Sequence, residues 1–359
     1  MRICKEEGLV GISTTRRGFL ALVPAGLLGA EKKTATKKKT LAPLNRGEFF
    51  RFPDPVTETS VVRLTNPTHT SLLPEPFNRF VSSREAFLLF ASDRSGTLAP
   101  FRVNLRTGAL TQLADTKSLL PRSLCLDPQE KHLFLEEEGV LQEIDLHNLH
   151  HRTIAEEISA FHVAAQNGAI VVRRGDRLEL IHQNAVQPIA DGVASRGLVR
   201  PSGDACVFSR QETPEEQEFW YVEFGAKPLL LAKGPIFCPA WAPGGRTVLF
   251  LRSVERPRYT ATQLRDVALD GSGERLIAQT TQYAAFAPNG DGSVFVGASR
   301  SKAQPDIMLL LRAAKRETTL CEHQAHNAEM VCPAFSPNSK RVYFESDREG
   351  KSSLYSVNV

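Results

Sequence analysis

From residue 80 to the C-terminus, apolar and polar positions repeat one phrase: a short polar turn, a β-rich strand, a loop, a second alternating strand, a turn and a third short strand. The period of about 35 to 50 residues is that of a propeller blade. The plainest copy has the turn Ser82-Ser83-Arg84-Glu85, a strand over 86–92, Asp93-Arg94-Ser95-Gly96, a strand over 101–105, Arg106-Thr107-Gly108 and a strand over 110–113. A second copy follows Asp127-Pro128, with strands over 132–136 and 141–146. The third, fainter copy follows Gln166-Asn167-Gly168, with strands over 169–173 and 177–182. The fourth opens at Pro201-Ser202-Gly203, with strands over 205–209 and 219–223. In the fifth, Ala242-Pro243-Gly244-Gly245 precedes a strand over 247–251, a long loop and a strand over 264–269. The sixth opens at Ala287-Pro288-Asn289-Gly290 and the seventh at Ser336-Pro337-Asn338-Ser339. Pro and Gly punctuate the turns, and β-branched and aromatic runs supply the strands.

A sheet of this size cannot bury both its faces alone, so the copies must stack. Closing them into a ring removes exposed sheet ends. The pattern therefore predicts an all-β, seven-bladed propeller as a single domain over residues 47–359. An open β-solenoid fits less well, because its rungs would be shorter than these blades. The seventh copy stops after about three strands, while Val61-Val62-Arg63-Leu64-Thr65 forms a strand with no blade of its own. That strand is expected to pair beside the C-terminal one and close the ring between the two ends of the chain.

Residues 1–30 read as a targeting segment and stand outside the fold. Thr15-Arg16-Arg17-Gly18-Phe19-Leu20 matches the twin-arginine consensus ahead of a short apolar stretch, which predicts a periplasmic or secreted protein. Residues 31–46, with Lys32, Lys33 and Lys37 to Lys39, read as a Lys-rich tether. No later run approaches the roughly 20 apolar residues of a membrane-spanning helix.

The formal charge of +4 is concentrated at the N-terminus, where residues 1–39 hold nine Lys/Arg against three Glu and leave the body at −2. Such a body lacks the positive field that nucleic-acid binding requires. Once Cys4 leaves with the signal, Cys125, Cys206, Cys238, Cys321 and Cys332 remain, and five thiols cannot all pair within one molecule. They are expected as small buried hydrophobes, with one disulfide left open.

Cys332-Pro333-Ala334-Phe335-Ser336-Pro337-Asn338, followed by Ser346-Asp347-Arg348-Glu349-Gly350 and Leu354-Tyr355, resembles the repeat shared by the Tol-system periplasmic propeller and the oligogalacturonate lyases. Asp54-Pro55-Val56-Thr57 with Val62-Arg63-Leu64-Thr65, and the first two blades through Thr111-Gln112-Leu113, are similar to the lyases in particular. That resemblance implies β-elimination on short pectin fragments, with manganese held by histidines and a glutamine at the central face. A proton on carbon beside a carboxylate becomes removable when a cation neutralises the developing charge.

The residues that would carry this chemistry differ here. The family's His-Pro-His-Pro falls on Met330-Val331-Cys332-Pro333, and its glutamine falls near Asn327, or on Gln324 with a shorter loop. Its sixth-blade histidine falls near Gln282 or Tyr283, and its Cys-His-Glu-Gly-Pro phrase reads Leu251-Arg252-Ser253-Val254-Glu255. The expectation is a scaffold that kept the fold and lost or replaced the lyase residues.

The remaining chemistry-bearing groups are few. Arg252, Arg256, Arg258 and Arg265 sit in or beside the fifth blade's long loop, where guanidinium forks could reach a carboxylate ligand at the channel mouth. With Gln282 and Gln324 they make up the candidate ligand-binding set, and Arg252 is the one catalytic candidate. His323, His326 and Cys332 are the candidate substitute metal ligands. Trp220 and Trp241 fit blade packing better than sugar stacking, and His147, His150 and His151 fit a solvated outer turn.

The sequence thus predicts an exported, monomeric, non-catalytic binding propeller with no expected cofactor. Its channel face would receive an anionic oligosaccharide or a protein or peptide. The alternative is an active oligogalacturonate lyase rebuilt around Arg252, Gln282, His323 and His326, and only that alternative calls for manganese.

Overall fold

The structure is a computed structural model that describes residues 47–182, 185–211, 213, 217–256 and 259–359. The signal and tether expected over 1–46, and Arg258, lie outside the described residues. The repeats fold into seven antiparallel sheets, six of four strands and one of five. In several blades the second of the four strands, which is the first strand of the repeated phrase, is deeply buried, as in Phe87–Ser92, Ala205–Arg210 and Val294–Ser299. Neighbouring blades cover both faces of such a strand, which is why it reads as an unbroken apolar run rather than an alternating one.

Apolar clusters join each blade to the next all the way round. Leu133 and Leu135 of the second blade pack with Leu88 and Phe90 of the first, and Phe134 and Leu141 of the second pack with Phe161 and Val172 of the third. Val171 then meets Phe208, Phe219 meets Phe250, and Leu264 meets Phe295 in the clusters of the following pairs. Val296 and Ile307 of the sixth blade share a cluster with Phe344 and Tyr355 of the seventh. Tyr343 and Leu354 return the contact to the first blade. Each fully buried Leu, Val or Phe contributes about 1.5–3 kcal/mol, so interblade packing supplies most of the drive to close.

The closure is as the sequence predicts, with one strand more. Ser60–Arg63 pairs antiparallel with Ser353–Asn358, setting Val61 opposite Val357. Phe50–Pro53 then pairs outside it and makes the seventh blade five-stranded. Asp54 pins this N-terminal hairpin. Its carboxylate accepts from the backbone N–H groups of Val56, Thr57 and, in the neighbouring sixth blade, Glu322 at 2.9 Å. Burial alone would raise its pKa, yet these hydrogen bonds hold it below the usual carboxylate value.

The fifth blade departs from expectation. What reads as strand, long loop and strand is a hairpin of two ten-residue strands, Thr247–Arg256 and Tyr259–Ala268, in continuous register. Val254 and Thr262 carry the pairing outward, since β-branched side chains favour extended backbone. Arg252 and Arg256 therefore lie in a strand, not a loop. Apart from the short turns Pro121–Ser123 and Ala328–Met330, the described residues form no helix, and none is long and apolar enough to cross a membrane. The five described cysteines are free thiols.

Candidate functional site

Seven innermost strands converge on the axis, and their inner edges have no sheet partner. Proline, which cannot donate to a ladder, is tolerated there. Pro239 and Pro288 lie in inner strands, and they line the channel together with Pro201 and Pro337 from the turns that follow two others. Several inner strands are interrupted where they face it. In the first blade, Ser71–Leu72 pairs with the second strand, residues 73–79 swing away, and Val81 rejoins by bridging Leu88. The excursion lies along the second blade: Asn78 Nδ2 donates to the carbonyls of Arg122 and Leu124 at 3.2 Å, and Leu126 N donates to Arg79 O at 2.7 Å. In the fifth blade the register shifts between Phe237 and Ala240, with Cys238 at a φ of 50°. Cys332 occupies the matching point of the seventh blade at a φ of 46°.

These interruptions open a cavity of about 630 Å³ on the axis, within the size range of small-ligand sites. Phe77, Phe80, Phe237, Trp241, Phe286 and Phe335 supply aromatic walls. Arg300 lies over the Phe237 ring at 5.2 Å and pairs with Glu329 at 3.4 Å. Arg196 repeats the arrangement, lying over the Phe77 ring at 5.2 Å with Glu75 at 3.7 Å. Each guanidinium is thus stacked on an aromatic wall and met by a carboxylate. Arg79, the other arginine lining the cavity, pairs with Glu130 at 2.9 Å.

Two buried polar groups of the cavity wall lack a partner. His162 Nδ1 accepts from Val199 N at 3.0 Å, while its Nε2 has no hydrogen bond. Burial, with the charge of Arg196, holds this imidazole down at about 4, so it is neutral, and the Phe77 backbone carbonyl pulls weakly the other way. Asn78 commits its Nδ2 to backbone carbonyls and leaves its Oδ1 unpaired. The cavity's thiols are inert packing groups: burial pushes Cys238 up to about 12 and Cys332 further still.

The residues singled out from sequence are mostly placed elsewhere. Arg252 Nε donates to Glu274 at 3.0 Å, and Arg265 Nε lies 3.0 Å from the same carboxylate, which belongs to the outer strand Glu274–Thr280. Arg256 pairs in register with Tyr259 near the hairpin's tip. Gln282 is exposed at the entry to the sixth blade, with a φ of 50°. Gln324 is exposed and donates to Glu322 at 2.6 Å. His323 is buried with both ring nitrogens engaged, Nε2 with Ser299 O and Nδ1 with Ala325 N, each at 3.0 Å. His326 is exposed and pairs with Asp347 at 2.9 Å. Of these residues only Cys332 lines the cavity, and among the described residues no three His, Cys, Asp or Glu side chains converge as a metal site. Trp220 stands under Arg210 at 4.6 Å, whereas Trp241 lines the cavity and donates to Leu198 O at 2.9 Å.

Sequence reasoning passed over Glu75, Phe77, Asn78, His162, Arg196 and Arg300. Two signals were present. Pro74-Glu75-Pro76-Phe77 interrupts an inner strand that other blades keep short, and His162 is a lone imidazole in the apolar run Phe161-His162-Val163-Ala164.

No family model matches the chain, and no curated protein matches it either. Solved structures share its fold. An oligogalacturonate lyase in complex with manganese is 18% identical with a TM-score of 0.79, over 89% of this chain and 98% of that one. An oligogalacturonate lyase from Vibrio parahaemolyticus is 18% identical with a TM-score of 0.78, over the same shares of 89% and 98%. A chain of the mitotic checkpoint complex is 12% identical with a TM-score of 0.57, over 88% of this chain and 99% of that one. At these identities the similarity shows the seven-bladed fold and not a shared activity.

Proposed function

We propose that this chain is a binding propeller that takes an apolar segment of a protein or peptide partner into its central channel. The observation that carries the reading is an aromatic cavity whose two lining arginines, Arg79 and Arg300, are already met by Glu130 and Glu329. An anionic oligosaccharide would bring a carboxylate on every sugar against apolar walls and the carboxylates of Glu75 and Glu329, and desolvating those charges without a free cation is costly. An apolar side chain needs no counter-ion and gains by burial. Export by the twin-arginine motif at Thr15-Arg16-Arg17-Gly18-Phe19-Leu20 places the binding outside the cytoplasm in this reading.

The second reading, an oligogalacturonate lyase, is favoured by the fold shared with the two lyase structures. One of those is described with manganese, and the donor chemistry here does not fit that ion. His323 spends both nitrogens on backbone groups, the Cys332 thiol is held protonated by burial, and Asn327 accepts from Glu329 N at 3.0 Å. No step through a metal is therefore assigned.

Oligogalacturonates incubated with the purified protein, with and without added manganese, separate the two readings through the absorbance of the new double bond. No turnover is expected. Turnover that disappears in Arg252→Ala would overturn the binding reading.

A further inference from the structure

We propose that the partner segment carries an arginine beside its apolar anchor, and that this guanidinium takes the place Arg300 now holds, between the Phe237 ring and the Glu329 carboxylate. The inference deepens the channel reading above and rests on it.

The channel walls already hold guanidinium groups of their own. Arg300 lies over the Phe237 ring at 5.2 Å and 3.4 Å from Glu329, and Arg196 lies over the Phe77 ring at 5.2 Å and 3.7 Å from Glu75. Twice, an aromatic face and a carboxylate form a guanidinium seat, and twice the chain fills it with its own side chain. The two seats differ in access. The Arg300 and Glu329 side chains are 41% and 65% exposed, against 26% and 27% for Arg196 and Glu75. Phe237 also opens a run of half-buried residues, 237–241, along the inner strand of the fifth blade, whereas the inner strand of the sixth is buried over 283–287. Phe237, Arg300 and Glu329 all line the cavity, so a ligand there reaches this seat first.

Arg300 is weakly held. Among the described residues its side chain makes that ion pair and that stacking contact but no hydrogen bond. Arg79, by contrast, pairs with Glu130 at 2.9 Å and donates to the carbonyls of Asp127 and Pro128 at 3.3 and 3.1 Å. An ion pair as exposed as that of Arg300 contributes little, and the guanidinium can turn into solvent at small cost. The local charge favours an incoming cation. After burial, the groups that act on the Cys238 thiol in this wall are Glu75, Arg300 and Glu329, two carboxylates to one guanidinium. Lysine fits less well than arginine, because its ammonium lacks the planar face that stacks on a ring.

Trp241 lines the cavity, and its fluorescence reports occupancy. Two compounds are titrated at low salt: N-acetyl-phenylalanyl-arginine amide, and the same compound with citrulline, which keeps the shape of arginine and loses its charge. The arginine compound is expected to bind about tenfold more tightly. Glu329→Gln should remove most of that advantage, and Arg300→Gln, which vacates the seat, should tighten the arginine compound more than the citrulline one. Both side chains are exposed, so neither substitution threatens the fold. In protein with nitrogen-labelled arginine, the Arg300 Nε–H resonance should move toward that of a solvated side chain when the arginine compound is added. Equal affinities in the native protein, an advantage that survives Glu329→Gln, weaker arginine binding in Arg300→Gln, or an Arg300 resonance that stays fixed would each overturn the inference while leaving the channel as an apolar site. If neither compound changes Trp241 emission, the channel reading fails and this inference with it.

Discussion

Glu345 sits where three blades meet at the axis. Its carboxyl accepts from Leu73 N of the first blade at 2.5 Å, pairs with Arg122 at the entry to the second, and lies 3.4 Å from Ser352 of the seventh. Burial pushes its pKa up to about 7, against the opposing pull of Arg122. The sign of the pH effect follows. A carboxyl whose folded pKa is raised above its unfolded value holds its proton more tightly when folded. Its contribution to stability is fully present below the unfolded value and lost as pH rises through about 7. The stability of the native protein relative to Glu345→Gln is expected to fall between pH 5 and pH 8 by on the order of 1–3 kcal/mol. Denaturant titrations at both pH values check this, and a difference that grows with pH would mean that pairing, not burial, governs the group. The sequence shows an acid inside Phe344-Glu345-Ser346 but not its partner, because Arg122 is 223 residues away along the chain. His162 and Asn78 were hidden for the same reason: an unpaired atom is a property of what surrounds it.

Strands were the most legible elements, because both the turn chemistry and the apolar runs are local. Gly297 shows what local reading leaves out. It sits in the second strand of the sixth blade, Val294–Ser299, where a β-carbon would stand 2.2 Å from the ring of Tyr283 on the inner strand. Tyr283 is fully buried, so the ring has little room to give. Gly297→Ala is expected to destabilise the fold by about 1–3 kcal/mol through overpacking, read as a lower thermal midpoint. An unchanged midpoint would show that the inner strand is looser than its burial implies. The fifth-blade hairpin was misjudged at this scale too. Arg252, Glu255 and Arg256 suggested a solvated loop, but pairing between Thr247–Arg256 and Tyr259–Ala268 extends almost to the tip, and Arg252 and Arg265 share the carboxylate of Glu274. Alternating polar side chains are compatible with a strand wherever one face meets solvent.

For the whole molecule, the ring depends on one join between distant ends. Leu64 N donates to Leu354 O at 2.7 Å, Tyr355 stacks on Phe344 with centroids 5.5 Å apart, and Phe52 meets Tyr355 edge-on at 6.4 Å. Deleting residues 50–63 would uncover the edge of Ser353–Asn358 and its aromatic neighbours. A loss of several kcal/mol is expected, with an earlier denaturant midpoint and a rise in aggregation from the open edge. An unchanged midpoint would mean that packing between the sixth, seventh and first blades holds the ring without the N-terminal hairpin. Because the join spans almost the entire chain, it should also be among the last contacts to form.

By itself the sequence determined the number of blades, their order, the turns between them and the strand that closes the ring. Each of these rests on residues adjacent in the chain, where periodicity and turn chemistry act. Only the tertiary structure decided what the channel is. Its walls gather side chains from five inner strands and the 73–79 excursion, and its charges are neutralised across blades, as Arg300 is by Glu329 and Arg196 by Glu75. Whether an arginine is free to hold a ligand, or an imidazole lacks a partner, depends on distances in space that no spacing along the chain encodes.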